Sequence, residues 1–67
     1  MAHEKYVVAG VKNYFGGTGE QGMELGKFRK IEFARRAREQ MLREAIKKGW
    51  SGHRGIFFNG KFVEELS

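Results

Sequence analysis

The sequence predicts an α+β domain: an antiparallel sheet of three or four strands with one long basic helix packed on one face. Three stretches carry that expectation. Asn59-Gly60 stands between two runs rich in β-branched and aromatic residues, the strongest short-range hairpin signal. Ala34, Ala37, Met41, Leu42, Ala45 and Ile46 recur at three- and four-residue steps, which makes an apolar stripe at helical period. Residues 5–15 carry the β-branched and aromatic side chains of a strand.

In chain order, residues 1–4 read as a loose tail. In the strand Lys5–Phe15, period-2 alternation puts Val7, Ala9, Val11 and Phe15 on one face. Tyr6, Val8, Lys12 and Tyr14 then fall on the other. Residues 16–26 read as a flexible glycine-rich loop, because Gly16, Gly17, Gly19 and Gly22 cost too much backbone entropy for a regular element. Gly17, Gly19 and Gly22 formally spell GxGxxG. A dinucleotide site needs a helix opening there and a βαβ unit. Another glycine, Gly26, follows instead, and the chain has 67 residues, so no cofactor is expected.

Residues 27–33 fit either a strand or an early start of the helix. The order is β-β-α-β-β in the first case and β-α-β-β in the second. Phe33 falls off the helical stripe and favours the strand, and no Ser, Thr, Asp or Asn between Gly26 and Arg36 marks a helix start. The helix is expected over about Arg35–Lys48. Good helix formers fill it, Gly49 is placed to end it, and Lys47 and Lys48 lie at the negative end of its dipole. Trp50 reads as a core anchor just beyond. The Asn59-Gly60 turn sets a register of Phe58 opposite Lys61, Phe57 opposite Phe62, Ile56 opposite Val63, Gly55 opposite Glu64 and Arg54 opposite Glu65.

Sixty-seven residues allow one small domain. There is no Cys, hence no disulfide and no thiolate, and no apolar run reaches the roughly 18 residues of a membrane span. No secretory leader is recognisable, which places the protein in the cytoplasm. Enzyme chemistry is not expected. There is no Asp; the one conceivable nucleophile set joins Ser51 and His53 to a glutamate; Glu64 and Glu65 point to opposite strand faces. His3 and His53 stand fifty residues apart, so no metal site is expected.

Charge is the informative property. Net charge is +5, and residues 27–54 hold ten basic side chains against three acids, +7, leaving −2 elsewhere. Such a concentration favours an anionic partner. Arg36, Arg43 and Lys47, spaced by seven and four, share a helix side, with Arg35 and Lys48 flanking them and Arg54 on the following strand. These six residues are the expected phosphate contacts. Tyr6, Tyr14 and Phe58 are the candidate stacking residues, on the assumption that they share an uncovered sheet face near Lys30 and Lys61. Arg38 falls inside the apolar stripe and is expected to snorkel. The leading reading is a non-enzymatic basic module that contacts nucleic acid. The alternative is a small regulator or inhibitor that binds an acidic surface of another protein, or a homodimer formed through the bare sheet face.

Overall fold

The computed structural model describes residues 5–66. It is an α+β fold with a four-stranded antiparallel sheet and two helices. In chain order these are β1 (Tyr6–Phe15), β2 (Thr18–Phe28), α1 (Ile31–Arg36), α2 (Arg38–Lys48), β3 (Arg54–Phe58) and β4 (Lys61–Glu65). The sheet order is β2-β1-β3-β4, so the first strand lies inside the sheet. The expected tail at residues 1–4 lies outside the described residues.

The expected glycine-rich loop is a strand. Gly16 and Gly17, at φ of 64° and 81°, form a two-residue turn between Phe15 and Thr18, and the chain returns as β2 along the whole of β1. The other glycines suit this tight pairing. A Cβ on Gly19 would lie 2.3 Å from a Val11 methyl, and one on Gly26 would lie 2.8 Å from Met41 Sδ. Three register shifts interrupt the β1–β2 ladder. At the shift between Val8 and Ala9, Leu25 is the extra residue on β2 and is buried against the helices. At the shift between Lys12 and Phe15, Asn13 adopts φ +52°, and Tyr14 turns to the Val11 side.

Residues 27–33 divide between two elements: Lys27 and Phe28 finish β2, and Ile31–Phe33 begin α1. Instead of one helix from Arg35, two helical segments meet at Ala37, whose φ and ψ of −84° and 14° depart from helical values. Lys30 precedes α1 without a side-chain cap, which is why no helix start could be read there. Phe33 lies on the exposed side and takes the Lys30 ammonium 6.0 Å from its ring centroid, so burial was a poor test of its helicity. Gly49 ends α2 in the left-handed conformation, with the Trp50 N–H bonded to the Ala45 carbonyl.

Two apolar clusters lie on opposite faces of the sheet. On the helical side, Val8, Leu25 and Ile56 meet Ala34, Met41, Ala45 and Leu66. Trp50 lies at the edge of this cluster, its ring over Gly10 and its Nε1–H donating to the His53 carbonyl at 2.9 Å. On the other side, Ala9, Val11 and Phe57 are covered by Val7, Tyr14 and Phe62. The sheet curls so that its outer strands β2 and β4 approach each other over this second cluster. The expected bare sheet face is therefore closed: Ala9 and Phe57 are fully buried there without a helix above them. The homodimer expectation loses the surface on which it was placed.

The Asn59-Gly60 turn forms as expected, with both residues at positive φ, and Phe58–Lys61 and Phe57–Phe62 pair as expected. The register then slips. Val63 is extruded, Ile56 pairs with Glu64, and Gly55 pairs with Glu65. This single bulge sends Glu64 to the helical side of the sheet and Glu65 to the other.

Candidate interaction surfaces

Six cations were expected to meet phosphate, and the fold treats them differently. Arg35, on α1, makes two hydrogen bonds to Glu64, from Nε at 3.0 Å and Nη2 at 2.8 Å. This fork-to-fork pairing holds the Glu64 carboxyl below its ordinary range and raises the Arg35 guanidinium further. The pair links α1 to β4 and depends on the Val63 bulge. Lys48 donates to the Glu24 carbonyl at 3.1 Å, tying the end of α2 to β2. Lys47 stands largely free, with Glu44 at 3.8 Å along the helix. Arg36 and Arg43 are exposed and make no salt bridge or side-chain hydrogen bond within the described residues. Arg38 is exposed as well. Arg54 is half-buried, and its Nη1 is fully buried without a hydrogen-bond partner.

The bulge accounts for the unpartnered Arg54. In the expected register Arg54 faced Glu65. In the structure Glu65 lies opposite Gly55 and is engaged elsewhere. One carboxylate oxygen accepts from the Tyr14 hydroxyl at 2.7 Å, and the other lies 2.9 Å from His53 Nδ1. Tyr14 and His53 also stack, with ring centroids 4.0 Å apart. Leaving a buried donor unpaired costs about 1–3 kcal/mol, more when it is charged.

The Tyr14–Glu65–His53 cluster makes stability depend on pH at both extremes. The Tyr14 hydroxyl, then His53, hold the Glu65 carboxyl below its ordinary value, and Arg35 does the same for Glu64. Both contributions are present above the ordinary carboxylate value of 4.5 and are lost as pH falls through the lower folded values. The Glu65 hydrogen bond raises the Tyr14 phenol above 10.0, a contribution present below that value and lost as pH rises through the folded one. Thermal melts should therefore decline below about pH 4.5. Glu64→Gln and Glu65→Gln should each flatten the acid decline; an unchanged decline in both variants would refute the assignment.

The stacking candidates divide between two sites. Tyr6 and Phe58 pack together with centroids 5.0 Å apart, in a groove of about 290 Å³ that also includes Lys5, Arg29, Lys30 and Glu32. Tyr14 lies on the opposite face with His53, edge-on to Phe62. A single platform of all three is not formed, because the Asn13 bulge turns Tyr14 away.

Ser51 shares a cavity with His53 and Glu65, yet no hydrogen bond joins Ser51 to His53 among the described residues. Within those residues no three His, Asp or Glu side chains gather as metal ligands, and no helix is long and apolar enough to cross a membrane.

Two of the six residues of the apolar stripe are not core. Ala34, Met41 and Ala45 are buried, whereas Leu42 is 43% and Ile46 69% exposed. These two side chains, with Trp50, Arg54 and the Gly49–Gly52 segment, line a groove of about 360 Å³. Sequence reasoning assigned Leu42 and Ile46 to the core. Their position about 100° around the helix from Met41 and Ala45 was the signal that they lie at its margin. Comparison with known proteins finds no matching family model, no matching curated protein and no matching solved structure.

Proposed function

We propose that the chain is a non-enzymatic binding module that grips nucleic acid phosphates on Arg36, Arg43 and Lys47. The observation that carries this reading is the contrast along one helical segment pair. Arg35 is matched by Glu64 at 2.8 Å, while Arg36 and Arg43 stand exposed with no salt bridge or side-chain hydrogen bond among the described residues. Unpaired guanidinium groups on a chain of net charge +5 suit bidentate phosphate contact. Arg35 and Lys48 tie the two helices to the sheet through Glu64 and the Glu24 carbonyl, and Arg54 lies on β3. The groove holding Tyr6 and Phe58 adds Lys5, Arg29 and Lys30 beside aromatic rings, a suitable seat for an unpaired base.

The test is fluorescence anisotropy with a labelled single strand and the matching duplex over a salt series. Binding should weaken with a logarithmic slope of about −0.9 per phosphate contacted on duplex and about −0.7 on a single strand. Replacing Arg36, Arg43 and Lys47 by Gln should remove roughly three contacts from that slope with the circular dichroism melt unchanged. A triple variant that keeps both the affinity and the slope of the parent would end the proposal.

A further inference from the structure

The apolar wall of the groove between α2 and the segment leading into β3 has no part in the phosphate reading, and two features of this groove are anomalous for a small basic domain. Leu42 and Ile46 hold bulky apolar side chains open to solvent on the same wall, joined by Trp50, whose ring is fixed by Gly10 beneath it and by its hydrogen bond to His53. Arg54, half-buried, also lines the groove, and its Nη1 is buried without a hydrogen-bond partner among the described residues. Arg54 is the one charged residue among those lining the groove. Glu65, which lines the neighbouring cavity with Arg54, is held by Tyr14 and His53. Arg38, one turn before Leu42, adds positive charge on that side of α2, whose acids are Glu39 and Glu44.

We propose that this groove docks an acidic, apolar peptide segment of another protein: a large aliphatic or aromatic side chain seated against Leu42, Ile46 and Trp50, and a neighbouring carboxylate reaching Arg54. Charge complementarity selects this occupant. An uncharged apolar segment would leave the Arg54 charge unmatched, and a basic one would be repelled by it. A nucleic acid strand would place phosphates beside exposed Leu42 and Ile46 and gain nothing from them. The apolar wall shares no residue with Arg36, Arg43 and Lys47, so either site can fail alone.

The experiment is a proton–nitrogen NMR titration of the full chain with three short blocked peptides. One carries Leu at helical spacing among Glu residues, the second has Ser for each Leu, and the third has Lys for each Glu. The first should move the Trp50 indole N–H and the backbone signals of Leu42, Ile46 and residues 49–54, and saturate below about 1 mM. The other two should bind at least fivefold more weakly. Ile46→Ser, at a site too exposed to threaten the fold, should weaken the first peptide roughly fivefold or more, as should Arg54→Gln, with Arg54→Lys recovering part of the loss. The proposal falls if the Ser peptide binds as well as the Leu peptide, or if the shifts centre on Arg36, Arg43 and Lys47. It also falls if a single-stranded oligonucleotide moves the groove signals and the peptide does not. Shifts in the same residues that depend on protein concentration alone would assign the groove to a second copy and overturn it equally.

Discussion

Phe57→Ala should leave most of the chain unfolded at about 25 °C. Phe57 is fully buried in the cluster on the sheet face away from the helices. It meets Phe62 edge to face, with centroids 5.5 Å apart and planes at 80°. Truncating a buried phenylalanine costs about 3–5 kcal/mol, the transfer loss plus the cavity left behind. A core of this size supplies about 3–5 kcal/mol in all. The two magnitudes are equal, so the folded state cannot absorb the loss. Circular dichroism against urea tests this directly. Phe57→Leu keeps most of the side chain and should remain folded with a lowered midpoint. A Phe57→Ala chain that melts like the parent would mean that the curled face is not a core at all.

Gly10→Ala should destabilise the fold by about 1–3 kcal/mol, the usual cost of forcing extra volume into a packed site. Gly10 lies in β1 beneath the Trp50 ring, and a Cβ there would stand 2.2 to 2.6 Å from three ring carbons. Backbone conformation is not the obstacle, because this glycine does not have positive φ. The indole cannot simply lift away, since its Nε1–H is held by the His53 carbonyl at 2.9 Å. Either that hydrogen bond breaks or β1 shifts against β3, where Gly10 pairs with Arg54. A red shift in tryptophan fluorescence together with a lower urea midpoint is the expected result. An unchanged emission maximum and midpoint would show that Trp50 does not rest on Gly10.

What could be read in the chain was whatever local chemistry decides. Asn59-Gly60 specifies its turn through the backbone angles of two residues, and the pairs nearest it, Phe58–Lys61 and Phe57–Phe62, follow. Ala34, Met41 and Ala45 face the core because helical period alone puts them there. The failures lie where a distant partner decides. Val63 leaves the ladder in a strand whose next residue, Glu64, meets Arg35, 29 residues away, and nothing near Val63 announces that. The glycines of β2 were counted for their entropy. Their close approach to Val11 and Met41 can be seen only when the strands are together. The cationic row was legible as a pattern, but not that Arg35 is neutralised or that Lys48 is spent on the Glu24 carbonyl. Arg54 was chosen for its charge, whereas its missing partner follows from the bulge.

The interior position of β1 has a consequence for how the protein is made. Tyr6 lies in register opposite Phe58, and Gly10 opposite Arg54, so one edge of β1 waits for β3. On a ribosome the β1–β2 hairpin and both helices emerge while that edge still lacks its neighbour, leaving Val8 and Ala9 only half enclosed. Residues 54–58 must clear the exit tunnel before the gap can be filled, and domains built on such long-range pairing fold slowly and expose sticky edges meanwhile. The nascent chain thus depends on β3 to become a closed structure, and a chain in which β3 is still withheld is open to aggregation and proteolysis.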